Sequence, residues 1–396
     1  MLTERQIFYN HIAQTTDEPI GLEIVEAKGI YMIDKDGKKY IDLISGVSVS
    51  NIGHRHPKVV EAVKNQVDKY MHLMVYGEYI QSPQVKYAEL FLEQLPEQFD
   101  NIYFVNSGSE ANEGALKLAK RYTKRSEIVS FTNAYHGSTA GVLSVLGNEY
   151  FKSAFRPLVP GVSFIDFNDE TQLNAITEKT AAVIVEPVQA EAGIITPENN
   201  FLQKLRKRCD EVGALLIFDE IQTGFGRTGN LFAFNTYNIE PDIFTIAKGM
   251  GGGMPIGAFV ASKKIMSVFK DNPILGHITT FGGHPVSAAA ALASLNVLLD
   301  EKIIFDVNIK GELFRKLLVH DKIKSIRGVG LFLAVELENY AQIRKLLDLT
   351  IKNGLVFDWF IFNDNHFRIS PPLNITNDEI KIACEIILNS LDEIKS

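Results

Sequence analysis

Cysteine and positive charge are both scarce in this chain, and each scarcity removes a class of protein. Only two cysteines occur among 396 residues. Cys209 and Cys384 lie far apart and outside any Cys-x-x-Cys or Cys/His spacing, so neither a disulfide scaffold nor a metal site is expected, and the usage fits a reducing cytoplasm. Lysine and arginine number 40 against 48 aspartates and glutamates, a formal net charge of −8. That is the wrong sign for a protein that tracks nucleic-acid phosphates, so small molecules are the expected partners. No apolar run reaches the roughly 20 residues that a membrane span needs; the longest nearly uncharged one, Ser287 to Leu299, is Ala-rich and reads as a buried helix. Met1 to Glu18 is polar, with no apolar export region. Repeats, charge blocks and Pro- or Ser-rich linkers are missing as well, so unit boundaries must come from changes of pattern.

What remains is a composition of 46% hydrophobic and 22% charged residues, that of a soluble globular protein. The length exceeds what one hydrophobic core supports, which predicts two or three packed units. Residues 21–43 alternate apolar and polar around Asp34-Lys35-Asp36-Gly37, the pattern of an antiparallel hairpin. From about residue 100, short apolar runs alternate with amphipathic stretches: 102–105, 128–131, 162–165, 182–185, 215–218, 243–246 and 256–260. Such runs predict strands buried on both faces of a mainly parallel sheet, an α/β architecture. After about residue 300 the pattern becomes helix, strand, helix and a final helix from Asn377. The expected organisation is an N-terminal segment (1–50) that joins the small unit, a large α/β domain (51–290) and a C-terminal α+β domain (291–396).

Ligands of open α/β sheets bind outside the carboxyl ends of the strands, so the residues just after each run matter most. Asn106-Ser107-Gly108-Ser109-Glu110 follows the first run and opens a helix. Free N–H groups there, with two hydroxyls and a glycine, make a monophosphate site, although Ser107 or Ser109 also reads as an ordinary N-cap. Glu186 and Asp219 abut buried strands, where an unpartnered carboxylate is costly; one aimed into the crevice can hold a proton on a ligand's ring nitrogen. Each also reads as a helix cap or ion-pair member. Glu220, next along an extended segment, points the other way and reads as structural. The sharpest feature is Ala247-Lys248-Gly249-Met250-Gly251-Gly252-Gly253. A lysine directly after a buried strand is partly desolvated, its pKa lowered, and available as an imine-forming amine. Phosphate cradle, ring-nitrogen carboxylate and imine lysine are together the parts that hold pyridoxal 5′-phosphate (PLP).

Residues 215–229, from Leu215-Leu216-Ile217-Phe218-Asp219-Glu220-Ile221-Gln222 to Gly229, followed by Pro241-Asp242 and Ala247-Lys248-Gly249, resemble the signature of the class III, or ω-amino acid, aminotransferases. The family includes acetylornithine, ornithine and 4-aminobutyrate aminotransferases, and the resemblance runs from Gly29 through Arg368. It implies a PLP-dependent fold type I enzyme of the aspartate aminotransferase kind, a large mainly parallel sheet domain plus a smaller α+β domain, working as a homodimer with shared active sites. On this resemblance Lys248 is the Schiff-base lysine, Asp219 the pyridinium partner, and Gln222 the residue beside the ring hydroxyl. Ser107, Gly108 and Ser109 form the phosphate turn, Tyr135 stacks on the ring with His136 beside it, and Thr280 reaches the neighbouring subunit's cofactor.

For substrate, the resemblance makes Arg368 the α-carboxylate-binding arginine and Glu191 the acid that pairs with it when no carboxylate is presented. A planar guanidinium suits bidentate carboxylate recognition. The family's second carboxylate-binding arginine is replaced here by Ser138, in Tyr135-His136-Gly137-Ser138-Thr139, which removes the expected clamp for glutamate or 2-oxoglutarate unless another cation, such as Arg227, substitutes. Val47 and Thr279 are further expected substrate contacts. Val47, with Met74, Tyr76 and Tyr79 near the entrance, points to a more apolar amine. The implied reaction moves an amino group from an amino acid or ω-amine to a 2-oxo acid by a ping-pong route. The alternatives are an aminomutase or decarboxylase on the same scaffold, or a non-catalytic PLP-binding regulatory module.

Overall fold

The computed structural model describes residues 2–394. The hairpin at Asp34 to Gly37 forms as expected, between β2 (Tyr31–Asp34) and β3 (Lys39–Asp42), and β1 (Ile24–Lys28) extends it. The seven apolar runs become β4 (Asn101–Val105), β5 (Glu127–Phe131), β6 (Val162–Ile165), β7 (Thr180–Val185), β8 (Leu215–Asp219), β9 (Ile243–Ile246) and β10 (Gly257–Ala261). They build one sheet in the order β4-β10-β9-β8-β7-β5-β6. The neighbours from β9 to β6 are parallel, and only β10 runs against both of its partners. Every residue of β7, β8, β9 and β10 is buried, which explains why these strands read as continuous apolar runs rather than alternations.

The helix Gly108–Thr123 crosses this sheet with Ala111, Ala115, Leu118 and Ala119 on its buried face. Gly114 lets it close on β10, because a Cβ there would lie 2.3 Å from the Phe259 ring. The Ala-rich stretch is the helix Pro285–Asp300, most of whose residues are buried. The remaining strands are β11 (Ser325–Val329), β12 (Phe332–Glu336), β13 (Leu355–Val356), β14 (Trp359–Phe360) and β15 (Asn363–Ile369), followed by the helix Asn377–Asp392 with a Thr376/Glu379 capping box. A third sheet has the order β11-β12-β15-β14, whereas β13 pairs in parallel with β3. The N-terminal hairpin and a strand from near the C-terminus thus share one sheet.

One buried side chain knits these parts. Arg227 is fully buried and donates to the Leu331 carbonyl (2.9 Å), the Pro371 carbonyl (2.6 Å) and Asn51 Oδ1 (2.7 Å). Burial lowers its pKa to about 9, with Asp42 acting in the opposite sense. This speaks against Arg227 as a substitute for the missing carboxylate clamp: Nη1 and Nη2 are spent on protein oxygens from three separate segments, and only the buried Nε has no partner among the described residues. Arg227→Met keeps the bulk but strands those acceptors, so a loss of roughly 2–4 kcal/mol in denaturant unfolding is expected; wild-type stability would refute the joint.

Candidate active site

Strand register decides which strand-end residues meet. Val185 lies opposite Phe218, and Asp219 opposite Thr245, so β7, β8 and β9 finish level. Glu186, Asp219 and Lys248 therefore emerge side by side at one edge. Val105 at the end of β4 pairs with Gly257, which brings the Ser107 turn to the same edge.

Asp219 is the hub of this edge. Its Oδ2 accepts from Asn112 Nδ2 (2.8 Å) and lies 2.8 Å from His136 Nδ1, while Oδ1 accepts the Ile221 N–H (3.0 Å). Asn112 also donates to the His136 carbonyl and accepts from the Thr245 hydroxyl. Helix, loop and two strands are thus tied to one carboxylate. The sequence reading missed Asn112, whose signal was an amide on a helix face otherwise made of alanine and leucine. Glu220 turns away from the edge as expected, and its oxygens accept from the Ala233 and Phe234 N–H groups and the Thr223 hydroxyl.

Lys248 has φ +46°, a left-handed conformation that costs a side chain other than glycine of order 1–3 kcal/mol and concentrates at functional sites. Its amine makes no hydrogen bond or ion pair among the described residues. Burial pulls its pKa down to about 8, against the opposing fields of Glu191, Asp219 and Glu186 and with the help of Arg368. Glu186 receives the Tyr135 N–H (2.9 Å) and the Ala190 N–H (3.0 Å); burial, then Asp219, pushes its carboxyl up to about 8.

At the head of the helix Gly108–Thr123, the Ser107 side chain accepts the Glu110 N–H. The capping alternative is therefore realised, yet the Gly108 and Ser109 N–H groups still have no acceptor within the helix. A Cβ on Gly108 would lie 2.7 Å from Ile221, so the turn needs glycine to sit against β8's continuation. The Ser138 N–H donates to Ser109 Oγ (3.2 Å). His136 is buried and its Nε2 has no partner.

Arg368 lies on β15 opposite Ala334 and is 1% exposed. Its Nη2 donates to both oxygens of Glu191 (2.9 and 3.0 Å) and its Nη1 to Gln222 Oε1 (3.3 Å). Gln222 Nε2 and the Ile361 N–H also donate to Glu191. Burial works against the guanidinium's charge, but Asp358 and Glu191 hold its pKa above the ordinary value. Asp358, 3.4 Å from Arg368 Nε, is a second acid that the sequence reading missed; its signal was a lone charge within Val356-Phe357-Asp358-Trp359-Phe360.

Val47 occupies a turn, Ser45 to Ser48, whose four residues all have positive φ. That strain is held by Asp42, which accepts the Ile44 and Ser45 N–H groups, and by the Ser45 hydroxyl bonding to the Ser370 carbonyl. Thr279 and Thr280 do not hydrogen-bond to the Lys248 cluster. Their loop lies beside an apolar groove of 690 Å³ that Tyr76, Tyr79, Ile274 and Ile278 line, so Tyr76 and Tyr79 are grouped with this loop. Among the described residues no cluster of three or more metal-ligating side chains occurs, and no helix is long and apolar enough to cross a membrane.

Comparison with known proteins bears on this site. The family model described as aminotransferase class-III matches residues 12–391. An acetylornithine aminotransferase of Methanocaldococcus jannaschii is 42% identical over 386 residues, covering 94% of this chain and 92% of the relative. A [LysW]-aminoadipate semialdehyde/glutamate semialdehyde transaminase of Sulfurisphaera tokodaii is 39% identical over 323 residues, 80% of this chain and 82% of that one. Among solved structures, the ornithine aminotransferase of Toxoplasma gondii superposes with a TM-score of 0.89 at 30% identity, over 97% of this chain and 92% of that one. A transaminase from the marine bacterium Virgibacillus gives 0.91 at 27% identity, over 98% and 97%. The chain belongs to the class III aminotransferases, PLP-dependent enzymes of fold type I.

Proposed function

We propose that this enzyme transfers an amino group from an acetylornithine- or ornithine-type amino acid, or a related ω-amino donor, to a 2-oxo acid in two half-reactions that share one site. The observation that carries the reading is Lys248: an unpaired amine on strained backbone, with a lowered pKa, set among carboxylates that all have partners. The residues fit PLP. Gly108 and Ser109 have N–H groups that would hold its phosphate, Asp219 would hold its ring nitrogen, Tyr135 and Gln222 would border the ring, and the Nε2 of buried His136 has no partner among the described residues. Bound there, the cofactor supplies an electron sink for the donor's Cα–H bond. Lys248 Nζ, neutral in part near pH 8, takes the Cα proton and returns it. Arg368 receives an α-carboxylate when Glu191 withdraws, and Glu191 restores the buried pair when the substrate offers none.

A second copy of the chain completes the site in this reading. Support comes from Ile274, Leu275, Ile278 and Phe281, all exposed around Thr279 and Thr280, and from Ile80 on the facing segment, 96% exposed. Apolar surface of that extent beside a groove fits a subunit interface. The homodimer works in the cytoplasm, with Thr280 directed to the partner's cofactor.

Borohydride reduction of the PLP-loaded enzyme followed by peptide mapping should find the cofactor on Lys248, and Lys248→Ala should abolish turnover; label elsewhere, or a turning-over variant, sinks the assignment. A lysine captures PLP only as the neutral amine. With a pKa near 8, the rate of borohydride-trappable adduct formation by the apoenzyme should rise with pH to a midpoint near 8. A midpoint above 10 would show an ordinary lysine. Finally, Ser138→Arg should shift acceptor preference from pyruvate toward 2-oxoglutarate by about tenfold, the order expected of one charge-assisted contact; an unchanged ratio of kcat/KM values would place selectivity elsewhere.

A further inference from the structure

Arg368 has a second acid beside it. Asp358 sits between β13 and β14, and the Arg368 N–H donates to its carbonyl (2.8 Å), so the main chain holds the two residues side by side. Their side chains face each other as well, with Asp358 Oδ1 3.4 Å from Arg368 Nε. Both atoms are buried, and neither has a hydrogen-bond partner among the described residues. The guanidinium is therefore approached along two edges. Glu191 takes Nη2 with both oxygens and Gln222 takes Nη1, while the Phe360 ring covers one face, its centre 4.7 Å away. The edge that Glu191 holds is the one a substrate carboxylate must take, and the Nε edge is already occupied by an acid.

At this guanidinium two carboxylates meet one cation. Burial, then Glu191 and Asp42, pushes the Asp358 carboxyl up to about 6 against the pull of Arg368. Against burial, Arg368 and then Lys248 hold Glu191 below the ordinary carboxylate value. Both acids are thus ionised at pH 8. Of the fields that oppose burial at Arg368, that of Asp358 is the largest, ahead of Glu191. The next charges out, Asp42 and Arg227, are of opposite sign. A carboxylate that displaces Glu191 does not displace Asp358, so it shares the guanidinium with a fixed charge of its own sign, and the low dielectric keeps that repulsion from being screened. A substrate end without a carboxylate leaves Glu191 in place and meets no such repulsion.

We infer that Asp358 is a specificity-determining residue of the Arg368 site: it holds the Nε edge of the guanidinium, weakens the site for an α-carboxylate, and favours the half-reaction whose substrate presents none there, that of a ω-amine. This rests on the transaminase reading above and ranks its two half-reactions. Asp358→Asn keeps an oxygen for Nε and removes only the charge. With N-acetylornithine as donor and pyruvate as acceptor at pH 8, the holoenzyme variant should raise kcat/KM for pyruvate relative to that for N-acetylornithine by about tenfold, through a lower KM for pyruvate. A merely structural Asp358 would misplace Arg368 and weaken pyruvate, the opposite sign. A ratio that is unchanged or lowered, or a change confined to kcat, overturns the assignment. A second arm needs no turnover: calorimetry of propionate, a carboxylate with neither amine nor keto group, on the PLP-loaded enzyme. Propionate should bind Asp358→Asn about tenfold more tightly than wild type, and Arg368→Met should abolish binding in both backgrounds. That result supports the assignment even if no donor is turned over, in which case only the transaminase reading fails. Equal or weaker binding in Asp358→Asn, or a tightening that survives Arg368→Met, overturns it.

Discussion

Several charged groups must sit together at the dry end of a parallel sheet, and the network around Asp219 is what makes that tolerable. A buried carboxylate without partners would cost several kcal/mol. Asn112, His136 and the Ile221 N–H remove that cost, and in doing so they lock a helix, a loop and a strand end into one geometry. Asn112 extends the lock to β9 through Thr245, two strands' width from Glu186 and three residues before Lys248. The placement of every other group at the edge follows from this fixed point and from the level register of β7, β8 and β9.

Around that hub the electrostatics divide into a paired half and an unpaired one. Arg368 is surrounded by Glu191, Gln222, Asp358 and the face of Phe360, whose ring centre lies 4.7 Å from the guanidinium. Its Nη1 and Nη2 are hydrogen-bonded, and Nε has only the 3.4 Å charge contact with Asp358. Lys248 is the opposite: strained and, among the described residues, without a direct partner, so burial pulls its pKa down to about 8. The same low-dielectric setting that strengthens the Arg368 pair makes the Lys248 ammonium expensive.

The legibility of these features in the sequence was uneven, for physical reasons. Lys248, Asp219 and Glu186 could be read because each follows a short apolar run, and a charge after a buried strand has few roles. The seven strands could be read for the same reason, although nothing in the run at 256–260 told that β10 reverses direction, since a doubly buried strand looks alike either way. Asn112 and Asp358 escaped attention as single polar residues within a helix and a short apolar stretch. Arg227 looked available for a ligand because sequence shows a charge without its partners; three backbone and side-chain oxygens from distant segments claim it.

The sequence by itself determined the fold class, the places of the strands along the chain and the family, because these depend on local periodicity and on motifs a few residues long. Tertiary structure decided which of those residues meet: the sharing of one sheet by β3 and β13, the closing of Glu191 on Arg368 across 177 positions, and the setting of Asp358 against the other edge of that guanidinium. Such contacts are set by strand register and by how sheets dock. These are properties of the folded chain as a whole, and no single segment carries them.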